Sequence, residues 1–186
     1  SGYNIYGTLI LKGGTYTDET ALKFAKQYIH SDYKLVGENV VAKEYVAQIG
    51  EQKYESLQEA IEKVKDGETV AVLKDIEFVS GANGSSNGIS YTRDANFILD
   101  LNGKTVTSNL GGNALRFKIG DGNDVKNAEV TIEVKNGTVI SGKTNWCAIS
   151  ASSADNSGNK LILNLNTLNV KNSKAGDYAI KSWAGA

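Results

Sequence analysis

The chain has 186 residues, with 20 Lys and Arg against 21 Asp and Glu, a formal net charge of −1, one Cys, and neither Pro nor Met. This size suits one or two small domains with a hydrophobic core, and two Arg give no basic face for a nucleic-acid partner. No segment approaches the ~18 consecutive apolar residues that membrane insertion needs, and the lone Cys147 excludes an internal disulfide.

The composition changes near residue 81. Nine of the eleven Glu precede it, whereas sixteen of the eighteen Asn follow it. Glu with Ala, Leu and Lys favours helices, while Asn, Gly, Thr and Ser around short apolar runs favour strands and turns. The sequence therefore predicts helices in the first part and a strand-rich second part.

Residues 17–29 place apolar side chains at helical spacing after a Thr-Asp start, which predicts a first helix. His30 follows at its predicted C-terminus, where an imidazole can interact with the last carbonyls. Residues 33–36 and 40–49 are predicted to be two strands joined by a tight turn.

Residues 56–65 predict a second helix, because Ser56-Leu57-Gln58-Glu59 has the pattern of a capping box. Four apolar residues then share one helical face, and Gly67 stands where a left-handed C-cap would end the helix. The residues of that face are Leu57, Ala60, Ile61 and Val64. We expect this face to cover the open apolar start of the structure that follows.

The second part is repetitive. Residues 101–107, 134–140 and 165–171 align without gaps, and each segment follows a short alternating strand. A second series, at residues 114–116, 148–150 and 179–181, keeps step with the first. A nearly constant period with several short strands and Asn/Gly corners is typical of a parallel β-helix. The alternative is a two-sheet β-sandwich with coincidental spacing.

These coils, preceded by residues 46–61 and 67–73, resemble right-handed, pectate-lyase-like β-helix modules of repetitive surface proteins from gut anaerobes, chiefly Gram-positive bacteria. Residues 10–18 resemble the final coil of such a module. The resemblance implies a mostly β chain, namely a right-handed parallel β-helix (solenoid) with a capping α-helix and a second short helix plus β-hairpin. It also implies secretion to the cell surface and tandem arrangement, but no catalytic residues.

We therefore divide the chain into three predicted parts. Residues 1–17 are a terminal-type coil strand, residues 18–55 a helix and hairpin connector, and residues 56–186 the capped β-helix.

A polysaccharide lyase on this fold would need clustered acidic calcium ligands and an Arg or Lys placed as a base. The dense polar cluster of Asp121, Asn123 and Asp124 alternates with Gly as calcium loops do, but an ordinary turn is the favoured interpretation. Arg116 is either an outward base or a solvated strand residue, and we favour the second. We expect no metal and no cofactor.

Aromatic side chains near the second series offer apolar faces on which sugar rings can stack. The candidates are Tyr91, Trp146, Tyr178 and Trp183. An internal aromatic stack along the solenoid is the favoured interpretation, and a sugar-binding platform is the alternative. Cys147 is expected to pack as a small apolar side chain.

Residues 11–17 also align with residues 134–140, so we expect the N-terminal strand to complete the last coil, either of its own chain or, as we favour, of a neighbouring copy. The expected assembly residues are Leu9, Leu11, Tyr16, Ile180 and Trp183. The predicted function is a non-enzymatic structural and adhesive module, extracellular at the cell surface, with neighbouring copies and glycans as candidate partners. The alternative is a polysaccharide-binding module, or a lyase or hydrolase.

Overall fold

The computed structural model describes residues 7–142, 146–174 and 177–183, with only the backbone of Trp183. The chain forms two compact units, Ser1–Glu44 and Tyr45–Ala186. The unit boundary therefore differs from the predicted boundaries after residues 17 and 55.

The first unit contains one helix and a three-stranded antiparallel sheet in the order β1-β3-β2. Asp18 begins the helix, since its Oδ1 accepts a hydrogen bond from Ala21 N at 2.8 Å. The first predicted helix and the tight turn between residues 33–36 and the following strand are confirmed. The elements are β1 (Gly14–Thr15), α1 (Glu19–Tyr28), β2 (Tyr33–Val36) and β3 (Asn39–Ala42).

The described residues of the second unit form one α-helix and twelve strands. They are β4 (Ala47–Ile49), β5 (Gln52–Tyr54), α2 (Leu57–Lys63), β6 (Glu68–Val72), β7 (Ile76–Phe78), β8 (Ile89–Tyr91), β9 (Phe97–Asp100), β10 (Thr105–Ser108), β11 (Leu115–Ile119), β12 (Glu129–Ser141), β13 (Ile149–Ser153), β14 (Lys160–Asn172) and β15 (Ile180–Trp183).

From β6 onwards these strands stack in parallel as a β-solenoid of about four turns, which confirms the predicted parallel β-helix. The coils are β6-β7-β8, β9-β10-β11, β12-β13 and β14-β15. The long strands β12 and β14 each run through a corner that β9 and β10 make as two strands. The last strand of every coil belongs to a separate sheet in the order β15-β13-β11-β8.

The predicted alignment of the coils is partly right. Leu115 pairs with Ile149 and Ile149 with Ile180, as the second series predicts. In the first series, Thr105 pairs with Thr138 as predicted, but Val134 pairs with Leu99 and not with Leu101. The reason is a two-residue insertion at the corner after β9, where Asn102 and Gly103 both have positive φ. The next coil turns the same corner with one such residue, Asn136.

The predicted strand over residues 40–49 is wrong, because the structure divides it between the two units. Lys43 N donates to Asp32 O at 2.8 Å, which ends the hairpin of the first unit. Val46 N donates to Tyr54 O at 2.8 Å, which begins the antiparallel pair β4-β5 of the second. Between Lys43 and Val46 the backbone therefore stops pairing with the first unit and begins pairing within the second, although residues 40–49 have a continuous strand-forming sequence.

The helix α2 lies over the first coil. The predicted face of Leu57, Ala60, Ile61 and Val64 is fully buried in the core with residues of β6 and β8, as expected of a cap. Ser56 Oγ accepts from Glu59 N at 3.4 Å. The helix ends at Lys63 rather than at residue 65, since Val64 is already extended. Gly67, with φ of 77°, therefore lies in the turn beyond and is not the C-cap.

Gln58 completes the cap by closing the exposed edge of β8. Its Nε2 donates to Ser90 O at 2.9 Å, and its Oε1 accepts from Ser90 N at 2.8 Å. The amide thus makes the two hydrogen bonds that another strand would make, which protects an edge from pairing with other chains.

Candidate functional surfaces

The fourth coil, β14-β15, is the open coil of the solenoid. Equivalent core positions are fully buried in the first three coils and uncovered in this one. Ile89, Leu115, Ile149 and Ile180 occupy the same position in successive coils, and we call such a set a core column. The first three side chains are 0% exposed, whereas that of Ile180 is 41% exposed. Leu99 and Val134 likewise have 0% exposure, but Leu165 has 37%. Among the described residues, no further coil covers these side chains.

The open coil also has unpaired strand edges among the described residues, because β15 is the last strand of its sheet and β14 pairs only with β12. A cavity of about 560 Å³ lies along it, lined by leucines of β14 and by Ile180. The leucines are Leu161, Leu163 and Leu165. Apolar side chains beside unpaired backbone groups are the features that bind an added strand.

A second surface lies on the outer face of the sheet β15-β13-β11-β8. Ser150 and Ser152 form the floor of a groove of about 250 Å³, Arg116 and Lys118 of β11 form one wall, and Trp146 lies at one end. We call this surface the serine groove. Ser150 also pairs with Lys181 of β15, which adds a third cation beside the floor.

Asp121 holds both cations of the β11 wall. Its carboxylate lies 2.6 Å from Arg116 Nη2 and 3.0 Å from Lys118 Nζ, and Arg116 Nη1 donates to Ser90 Oγ at 2.9 Å. Partial burial is the largest influence on the pKa of Asp121 and raises it, but the hydrogen bonds and charges of the two cations together hold that pKa below its ordinary value. The network fixes two positive groups at the groove.

Of the four aromatic residues predicted to offer exposed rings for sugar binding, the structure exposes two and buries one. The expectation that Tyr91 is exposed is wrong, because it has 1% exposure, packs against Phe97 and donates its hydroxyl to Ala95 O at 2.8 Å. Burial raises the pKa of Tyr91 to about 12. Trp146 and Tyr178 are exposed, at 49% and 72%. The side chain of Trp183 lies outside the described residues.

The calcium candidates occupy a turn after β11. Asp121 is ion-paired as described, and Asn123 accepts from Val125 N at 3.0 Å and donates to Thr92 O at 3.0 Å, while Asp124 is exposed. Among the described residues, no group of three His, Cys, Asp or Glu side chains is placed to hold a metal ion. Hydrogen bonds within the turn and across to the neighbouring coil account for the conformation of these residues.

His30 and Cys147 each make a side-chain hydrogen bond. His30 does not cap α1, since its Nδ1 accepts from Asp32 N at 3.2 Å. Cys147 is buried and donates to Asn113 Oδ1 at 3.2 Å, and burial raises the pKa of its thiol. A protonated, buried thiol is a poor nucleophile.

The expected assembly residues lie on two surfaces. Leu9 is 37% exposed and Leu11 and Tyr16 are half-buried in the first unit, where Leu11 bridges Ile29. β1 is an edge strand of its own sheet, with one side paired to β3. Ile180 and the backbone of Trp183 belong to the open coil.

Comparisons with protein-family models, curated proteins and solved structures found no match to this chain. In the described part of the chain, neither helix has the length and apolar character to cross a membrane.

Sequence reasoning missed Lys118, Ser150 and Ser152 as members of one site. The available signal was their position: each lies at an alternate, outward place on the strands of the second series.

Proposed function

We propose that the chain is a non-enzymatic structural and adhesive module of a secreted, tandem-repeat bacterial surface protein, and that copies assemble head-to-tail by strand addition at the open coil. The observation that carries the proposal is the abrupt uncovering of Ile180 and Leu165 in core columns that are otherwise fully buried. The extracellular location and the bacterial source rest on the resemblance to pectate-lyase-like surface modules.

The occupant of the open coil is the N-terminal segment of a second copy. Residues 11–17 have the apolar pattern of residues 134–140. Leu9 and Ile10, which directly precede them, have exposed apolar side chains. Among the described residues, β1 pairs on one side only, and β-strand addition uses the other side. Because donor and acceptor surfaces differ, the contact is heterologous and propagates as a chain of copies.

Sedimentation velocity tests the assembly with variants on each surface. Leu9→Lys changes the donor and Leu165→Lys the acceptor, while the control Asn164→Lys adds the same charge next to Leu165 on an exposed position of β14. We expect wild type and Asn164→Lys to form concentration-dependent oligomers and each Leu variant alone to be monomeric. An equal mixture of the two Leu variants should form dimers and nothing longer, because the intact donor of one meets the intact acceptor of the other.

A monomeric wild type at high concentration would overturn the assembly. So would a mixture that stays monomeric while both variants keep the circular dichroism spectrum of wild type. Loss of oligomers in Asn164→Lys to the same degree would show that added charge, and not the open coil, controls association.

The alternative function is polysaccharide binding or cleavage, and the serine groove is the observation that favours it. Release of unsaturated products from a uronate polysaccharide would replace the structural proposal with a lyase. Binding without product release would add glycan recognition to the module.

A further inference from the structure

The serine groove combines three features that do not depend on the open coil. Its floor is made of small hydroxyl side chains, Ser150 and Ser152, which are 3% and 5% exposed between longer neighbours. Its β11 wall carries Arg116 and Lys118 on successive outward positions, and its end carries the exposed ring of Trp146. No acidic residue is among the described residues that line it.

We propose that the serine groove binds an acidic polysaccharide through a carboxylate or sulfate group carried on a sugar ring. Arg116 and Lys118 attract the anionic group, because charge-assisted hydrogen bonds from guanidinium and ammonium groups are the strong ones for such anions. The serine hydroxyls provide donors and acceptors for sugar hydroxyls, and the Nδ2 group of Asn87 provides further donors. Trp146 offers an apolar face to the ring.

The site is held in place by contacts between coils. Asn113 N and Nδ2 both donate to Asn87 Oδ1, at 2.9 and 3.0 Å, which ties two residues of the groove together. Arg116 is fixed by Ser90 and Asp121. A ligand therefore meets groups whose positions are already set, and little side-chain entropy is lost on binding.

A glycan fits these observations better than a nucleic acid. A phosphate backbone is bound by many distributed cations, but this chain has a net charge of −1, and only two of the described residues that line this short groove are cationic. Serine hydroxyls and the Asn87 amide beside the exposed indole of Trp146 suit a hydroxyl-rich ring.

Asp121 acts as an internal competitor for the ligand's anionic group. It is the one carboxylate ion-paired with Arg116 or Lys118 in the described part of the chain. Its removal should therefore strengthen the binding of an anion, although it also removes two ion pairs from the folded protein.

Isothermal titration at low salt tests the site, with polygalacturonate as the carboxylate probe, dextran sulfate as the sulfate probe and neutral dextran as the uncharged control. We expect wild type to bind one or both charged polymers and not dextran. Lys118→Ala should weaken binding by about tenfold, the loss expected for one charge-assisted hydrogen bond. The matched control is Lys160→Ala, because Lys160 Nζ is also 3.0 Å from a carboxylate, that of Glu129, away from the groove.

Two further variants separate a binding site from a structural ion-pair network. Asp121→Asn should raise affinity several-fold even if it lowers the melting temperature, and Trp146→Ala should weaken binding while leaving the melting temperature close to wild type. Binding should persist in a calcium chelator and should weaken as salt is added.

Equal binding by Lys118→Ala and Lys160→Ala, or weaker binding by a folded Asp121→Asn, would overturn the proposal. Absence of binding to both charged polymers would do so as well, and tighter binding to a single-stranded oligonucleotide than to either polymer would replace the glycan with a nucleic acid. The same measurements in the Leu165→Lys background, which keeps the groove intact and should be monomeric, make the result independent of assembly through the open coil, whose cavity Lys160 also lines.

Discussion

The cap formed by Gln58 leads to a specific prediction about stability. In Gln58→Leu the apolar volume is roughly kept, but Ser90 N–H and Ser90 C=O both lose the side-chain amide that pairs with them at 2.8 and 2.9 Å. Gln58 itself is nearly buried, so water replaces the amide poorly. Each buried backbone group left without a partner costs about 1–3 kcal/mol, and part of this is offset by burial of the new methyl groups.

We therefore expect Gln58→Leu to lower the free energy of unfolding by about 2–4 kcal/mol. For a chain of this length that corresponds to a melting temperature roughly 5–15 °C lower. Gln58→Glu should be at least as destabilising, because a carboxylate oxygen would then face both Ser90 O and Glu62 Oε1, to which Gln58 Nε2 donates at 2.9 and 2.8 Å. The matched control is Glu59→Leu, an exposed position one residue further along α2.

Urea unfolding followed by circular dichroism measures the difference, and amide hydrogen exchange at Ser90 localises it. Protection of the Ser90 amide should fall in Gln58→Leu and stay unchanged in Glu59→Leu. If Gln58→Leu costs less than about 0.5 kcal/mol, as ordinary surface substitutions do, the amide does not protect the edge of β8 and the reasoning is refuted.

Three other predictions follow from single residues. Ile61→Asp, which puts a carboxylate at a fully buried position of the cap, should unfold or aggregate the protein, and an unchanged melting temperature would remove α2 from the role of cap. Thr167→Asn should stabilise the protein by about 1 kcal/mol in urea titrations, because a β-branched residue has φ of 49° at a corner where Asn136 has 58°; a loss of stability would contradict a conformational origin. The ion pairs of Asp121 should stabilise the fold at pH values above the unfolded pKa of 3.8, and this stabilisation should be lost as the pH falls through the lower folded pKa, so Asp121→Asn should flatten the acid limb of a pH–stability curve. Saturating calcium should leave the melting temperature of wild type unchanged, whereas a calcium site filled at 100 times its dissociation constant would add ~2.7 kcal/mol to the free energy of unfolding.

The two surfaces were predictable to different degrees. Ile180 belongs to a series of Ala-apolar pairs whose regular spacing shows in the sequence, so the sequence alone is enough to find its column. The serine groove could not be found in this way. Ser150 and Lys118 are 32 residues apart, and nothing local relates them, since their proximity depends on which residues of β11 and β13 are paired.

The burial of Tyr91 also could not be predicted from the sequence. An aromatic residue in an alternating strand is compatible with either face, and only the pairing of Tyr91 with Phe117 of the next coil places it inside. The first coil was also missed as a repeat, because Ile89 and Leu115 are 26 residues apart and the other spacings are between 31 and 34.

The sequence by itself determined the local features of this protein: the N-terminal caps of both helices, the alternation of the strands, and a period long enough to require stacked coils. Those features depend on contacts between residues close in the chain, or on a pattern repeated at equal distances. The tertiary structure alone decided the two-residue shift after β9, the reach of Gln58 to Ser90, and the meeting of Arg116, Lys118 and Trp146 in one groove. The physical reason is that hydrogen bonds fix the alignment of neighbouring coils strand by strand, while corners absorb insertions that a gapless comparison of the sequence does not see.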